Sequence, residues 1–247
     1  MLKIKNIIQL LSMFLLFADF IVAQPHNHLT VICGSMASGK SDEFIRWSRR
    51  RMVASPNEVG VFKHAWDDRI LNDNNVDPTK NISSRSGSSI KCIGVTTISE
   101  MEAIIEKNNY ATIAIDEAQF FEKNDLLAFV HKMLSLKKDV IVAGLDLDFR
   151  GETFGAMGDL LALADEVVKL KAICSLCKQD KYCITQRTIG GTSAYYEDPI
   201  VMVGESDYSP RCRDCHEVLP GKRPVNETAT ELTLTTSDLD AGMKAFK

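Results

Sequence analysis

A chain of 247 residues has room for one large domain or a core with an appendage, and 45% hydrophobic with 25% charged residues is the balance of a globular protein. The formal net charge of −4 excludes the broad basic footprint of a nucleic-acid binder. Arg46, Arg49, Arg50 and Arg51 form a basic cluster, which on a predicted helix reads as a solvated face.

The chain opens on Lys3 and Lys5, followed by an apolar stretch over residues 7–23 that is broken by Gln9, Ser12 and Asp19. This pattern reads as a secretory signal with cleavage after Ala23. A start placed too far upstream, or a non-native extension, gives the same pattern. Residues 1–27 are therefore set apart, and the fold is expected to begin near His28.

Residues 29–33 are apolar and β-branched and predict a strand. Gly34-Ser35-Met36-Ala37-Ser38-Gly39-Lys40-Ser41 follows, matching G-x-x-x-x-G-K-[ST], and a helical run comes after it. A glycine turn with an incidental lysine would share the pattern. The strand before it and the helix after it favour a phosphate cradle. In such a cradle Gly34 and Gly39 adopt backbone angles that other residues resist, so that several N–H groups converge on one anion. Lys40 reaches the outer phosphates, the Ser41 hydroxyl takes Mg²⁺, and the helix start adds its positive end.

The first helix should end at the breaker cluster Ser55-Pro56-Asn57. A strand is expected over residues 59–63, a polar loop over 64–69, and a long loop over 72–87, dense in Asn, Asp, Ser and Pro. A short strand at 90–93 and a helix at 99–107 follow. Residues 112–115 form an apolar strand that runs into Asp116-Glu117, and a carboxylate at such a strand end holds Mg²⁺ directly or through water. A helix starts at Asn124, with Leu127, Val130 and Leu134 at helical spacing. The strand at 140–145 ends in Asp146-Leu147-Asp148-Phe149-Arg150-Gly151. A helix through Leu160 and Leu163 and a strand at 167–170 complete the core. This alternation predicts an α/β fold of the P-loop NTPase kind: an open, mostly parallel sheet with helices on both faces. The glycine loop, Asp116-Glu117 and residues 146–150 then share the carboxyl edge, where such sheets bind ligands.

Four of the seven cysteines fall as Cys174-x-x-Cys177 and Cys212-x-x-Cys215. Two such turns complete a tetrahedral thiolate site for structural zinc, clamping the ends of the intervening loop. Two disulfides, a redox pair or buried apolar cysteines are the alternatives, and disulfides would suit the signal-like start. Cys33, Cys92 and Cys183 read as core residues; His216, beside Cys215, could substitute as a ligand, but four sulfurs already suffice. Residues 221–247, rich in Thr, Glu, Asp and Lys, predict a disordered tail.

Together these stretches resemble the type II thymidine kinases. The resemblance rests on the glycine loop, on Phe62-Lys63 with Asp67-Asp68-Arg69, and on Asp116-Glu117-Ala118-Gln119-Phe120-Phe121. It continues through Gly144-Leu145-Asp146, Asp148-Phe149-Arg150-Gly151, Phe154-Gly155, Thr185-Gln186-Arg187, Tyr208 and the cysteine knuckles, from His28 to Val218. It implies transfer of the γ-phosphoryl group of ATP to the 5′-hydroxyl of thymidine. It further implies an ATP-binding domain over 28–170, a zinc and lasso-loop domain over 171–220, a homotetramer, and feedback by thymidine triphosphate.

By this resemblance Glu117 is the general base and Arg69 stands near the transferring phosphate. Gln119 joins the loop residues and Asp116 on the ATP side. Met36, Phe120, Leu145, Phe149, Phe154, Thr185 and Tyr208 fall at nucleoside-pocket positions. Val201, Val203 and Gly204 would offer backbone groups to the thymine edge. An ATP-using enzyme with thiolate clusters belongs in the reducing cytoplasm, with no nucleic-acid or membrane partner. Departures from the family pattern are Ala37, Ala118, a longer spacing from Cys177 to Thr185, and Arg85 where bacterial members show a Ser-His stretch. A generic P-loop NTPase and a zinc-ribbon nucleic-acid module are the competing readings; the first lacks a clear water-orienting residue and the second lacks interleaved basic and aromatic residues.

Overall fold

The computed structural model describes residues 27–65, 80–202 and 206–224. The signal-like segment, Arg69, Val203, Gly204 and nearly all of the C-terminal tail lie outside the described residues. Six parallel strands form the central sheet: β1 (Leu29–Cys33), β2 (Val59–His64), β5 (Ile93–Val95), β6 (Thr112–Asp116), β7 (Asp139–Gly144) and β8 (Glu166–Lys169), in the order β5-β2-β6-β7-β1-β8. β1, β2, β6 and β7 are buried along their whole length. That is why they read as continuous apolar runs rather than alternating ones.

Helices cover both faces. On one face α1 (Lys40–Ala54) sets Phe44 and Ile45 against Ile32, Val61, Ala114 and Ile141. On the other, α2 (Ile98–Ile105), α3 (Lys123–Ser135) and α4 (Met157–Leu163) bury Met101, Phe129, Val130 and Leu160 over Val31, Ile113, Ile115 and Val142. Local chemistry sets the helix starts. Thr97 and Glu100 form a reciprocal capping box at α2. The Glu122 carboxylate accepts from Asp125 N at 2.7 Å, starting α3 at Lys123, one residue before the expected Asn124.

The expected loop over 72–87 and the strand over 90–93 need correction. β3 (Asn81–Ser83) and β4 (Ser89–Lys91) pair as an antiparallel hairpin, and β5 then joins the main sheet separately. Ile82 and Ile90, both buried in the α1-side core, supply the reason. A polar composition concealed two apolar anchors placed directly opposite each other.

After β8 the chain builds a lobe of small antiparallel sheets. β9 (Ala172–Ile173) pairs with β10 (Asp180–Lys181), and β11 (Cys183–Ile189) pairs with both β12 (Thr192–Ser193) and β13 (Ser206–Cys212). Among the described residues no helix is long and apolar enough to cross a membrane.

Candidate active site

A cavity of about 480 Å³ opens at the carboxyl edge of the sheet, where β2, β6, β7 and β1 end. Loop residues 36–39 with Lys40, Ser41 and Asp42 line one side; Asp116, Glu117, Lys63 and Leu145 line another. Two glycines make the loop possible. Gly39 has φ 87°, and a Cβ on Gly34 would sit 2.8 Å from Ser38 Oγ and 2.9 Å from the Leu170 carbonyl. Ala37 takes φ 60° without being glycine. Such alternation of right- and left-handed residues turns successive amides toward one point. α1 starts from Gly39 with no side-chain cap, so its first amides face the cavity end. Lys40 Nζ donates to Ser35 O at 2.8 Å.

Asp116 is buried at the end of β6, and Glu117 follows it with φ 54° and ψ 41°. Consecutive strand residues normally point to opposite faces. The left-handed turn at Glu117, uncommon for a residue with a Cβ, lets both acids line one cavity. Gln119 holds the arrangement from behind. Its Nε2 donates to Glu117 Oε2 at 2.6 Å, and its Oε1 accepts from Leu145 N at 3.0 Å. Gly144 permits this approach, because a Cβ there would lie 2.6 Å from Gln119 Oε1. Gln119, expected on the ATP side, is fully buried, does not line this cavity, and bridges two strand ends.

The expected nucleoside-pocket residues divide. Met36 and Leu145 line the cavity, and Met36 N donates to Thr185 Oγ1 at 3.0 Å, tying the glycine loop to β11. Phe120 packs edge-on against Phe154 at 5.8 Å, and Phe149 is buried under the Arg187 guanidinium at 3.7 Å. Tyr208 donates to the carbonyl of Met202, one residue beyond Val201, at 2.7 Å. None of Phe120, Phe149, Phe154, Thr185, Val201 and Tyr208 lines the cavity itself.

Sequence reasoning gave no site role to Lys63 and Asp42, which line the cavity; Arg85, noted as a departure from the family pattern, and Ser84 beside it also stand in the wall. A lysine at the end of the expected apolar strand over 59–63 was the available signal for Lys63, which the structure buries in register with Asp116. The pairing of β3 with β4 that delivers Ser84 and Arg85 was not visible in the polar composition of that segment.

A thymidine kinase family model matches residues 27–216. The chain belongs to the thymidine kinase family. Membership makes it an ATP-dependent kinase, and the cavity gathers the expected phosphate-loop elements on one sheet edge.

The second feature of this family member is the cysteine cluster. The sulfurs of Cys174, Cys177, Cys212 and Cys215 all lie within 4.8 Å of one another. Cys177 and Cys212 are 3.7 Å apart, far longer than a disulfide and close to the spacing of about 3.8 Å between sulfurs that share a tetrahedral zinc at 2.3 Å. The donor set therefore fits a structural zinc ion. Burial raises the Cys174 thiol pKa, but the amides of Cys212, Cys177 and Leu176 outweigh it and draw the pKa below its ordinary value, favouring thiolate. Cys33 and Cys92 are buried in the sheet domain, whereas Cys183 is buried against Cys174 and Cys212 without joining the four, its Sγ donating to the Ala172 carbonyl. His216 is not a ligand here: its Nε2 lies 2.8 Å from the Phe149 carbonyl, and burial lowers its pKa.

Proposed function

We propose that this chain transfers the γ-phosphoryl group of ATP to the 5′-hydroxyl of thymidine, giving thymidine 5′-monophosphate and ADP. The observation that carries the reading is the convergence of Lys40, Ser41, Asp116 and Glu117 on one cavity, within a chain of the thymidine kinase family.

Phosphoryl transfer asks a protein mainly to position the reactants and neutralise charge. The amides of residues 35–39 and the Lys40 ammonium hold the donor phosphates. Ser41 and Asp116 offer hard oxygen donors on the same cavity, a set that fits Mg²⁺, which when bound neutralises phosphate charge. Glu117 accepts the proton of the attacking hydroxyl as the new bond forms. Gln119, bonded to Glu117 Oε2, keeps that carboxylate oriented, and Lys63 adds positive charge beside Asp116. Arg69 is assigned to the transferring phosphate by the family resemblance alone. The nucleoside is held by Met36, Leu145 and the aromatic residues of the loops after β6 and β7, with the backbone near Val201 reading the base. The zinc ion is structural and holds both ends of the β10–β13 segment. A cytoplasmic homotetramer, and a division into an ATP-binding unit over 28–170 and a zinc unit over 171–220, belong to the same proposal.

The test is product identification. The full chain, incubated with Mg²⁺-ATP and thymidine, should yield thymidine 5′-monophosphate by mass. ATP consumed without a phosphorylated nucleoside would overturn the proposal in favour of a generic NTPase.

A further inference from the structure

The family match ends at residue 216, yet residues 217–224 are also described and fold back on the lobe. The Gln186 side chain grips the Glu217 backbone twice, donating to its carbonyl and accepting from its N–H, both at 2.8 Å. Leu219 N donates to Ala194 O at 2.9 Å, and Tyr196 N donates to Leu219 O at 2.8 Å. Glu197 N then donates to Gly221 O at 3.1 Å. Residues 217–221 thus run beside 194–197 as an added backbone rung, with a parallel bridge between Tyr195 and Leu219.

The strap ends on Arg223. Its Nη2 donates to Asp198 Oδ2 at 2.9 Å, and its guanidinium lies over the Tyr195 ring at 5.1 Å. Asp198 is 9% exposed at its side chain, so this charge is largely removed from water and is costly without partners. It also accepts from Tyr195 N and lies 3.8 Å from Arg187 Nη2. Arg187, fully buried on Phe149, donates to the carbonyls of Pro199 and Ile200, and Arg150 donates to the Asp198 carbonyl at 3.0 Å. The segment 198–200 therefore hangs from three arginines. Two come from within the matched span, and one comes from the strap.

We propose that residues 217–223 are a positioning strap for the nucleoside-binding loop, with Arg223 acting through Asp198 to fix the segment that leads into Val201. The inference rests on the functional reading above in one respect, that this loop contacts thymidine. Arg223 is not among the residues that line the phosphate cavity. Its loss should therefore act on the nucleoside and spare ATP.

The experiment compares the full chain with Arg223→Ala and Arg223→Lys. In Arg223→Ala the KM for thymidine should rise on the order of 10-fold, the scale of one charge-assisted hydrogen bond, with kcat and the KM for ATP within about twofold of wild type. Arg223→Lys, which keeps the charge, should recover part of the loss. Amide hydrogen exchange without ligand should quicken at residues 194–200 in Arg223→Ala and stay unchanged in α1 and the glycine loop. Equal rises in both KM values, or unchanged exchange at 194–200, would overturn the strap. A wild-type chain lacking thymidine-dependent turnover would sink the functional reading separately. The exchange comparison would then still decide whether the strap holds the loop.

Discussion

In the parallel sheet, the side chains at the cavity stand at the ends of fully buried runs such as Leu29–Cys33 and Thr112–Asp116, backed by helices on both faces. The cysteine lobe has strands as short as two residues and a small buried cluster made mostly of its own cysteines. Its shape rests on the four-cysteine cluster, whose donor set fits a zinc ion, and on side chains bonded to backbone carbonyls, as Arg187 and Tyr208 are. The first region derives its precision from hydrophobic burial and the second from a few polar bonds. The sheet edge should therefore tolerate losses in the lobe, while the lobe should fail with the loss of any one of a few groups.

Changes at the two regions should separate accordingly. Glu117→Gln keeps the shape of the cavity but removes the proton acceptor. Turnover should fall about 100- to 10,000-fold with thymidine and ATP affinities nearly unchanged, read by steady-state kinetics and by binding. Cys212→Ser attacks the lobe: bound zinc should drop from roughly one per chain to none by metal analysis. Nucleoside binding should go with it, while an ATP analogue still binds the sheet edge. Retained thymidine binding in that variant would erase the contrast between the regions. Gln119→Met tests the buried bridge and should cost about 1–3 kcal/mol in denaturant unfolding, since Leu145 N–H and Glu117 lose the same partner. Its turnover should fall by about 10- to 100-fold through misplacement of the base.

The smallest effect concerns Asp148, whose pKa is raised, chiefly by burial. Its Oδ1 accepts from Arg150 N at 2.8 Å and Glu152 N at 3.1 Å, an acceptor role that Asn can also fill. A folded-state pKa above the unfolded value means stability that is present at low pH and lost as pH rises through the raised value. Asp148→Asn should therefore gain slightly on wild type across that window, just above the ordinary carboxylate range, and match it below. Parallel thermal melts at several pH values check this.

Legibility in the sequence follows the same division. The glycine loop, Asp116-Glu117 and the four-cysteine spacing were readable because each motif is a side-chain requirement at fixed intervals, and family membership agrees with them. The sheet was readable because fully buried strands need continuous apolar runs. The β3–β4 hairpin was not, because two isoleucines in a polar segment carry its burial. The Gln119 bridge was not legible either, because an amide that serves Glu117 and Leu145 N at once is set only by the approach of β6 to β7. The strap was invisible for a further reason: backbone rungs between 194–197 and 217–221 leave no mark on residue identity.

The central claim is that the acceptor at this cavity is a nucleoside hydroxyl rather than water. ADP release by the full chain with Mg²⁺-ATP, measured with and without thymidine, tests it most directly. The account predicts release that is slow alone and rises steeply and saturably with thymidine. Release that proceeds equally without thymidine would contradict it.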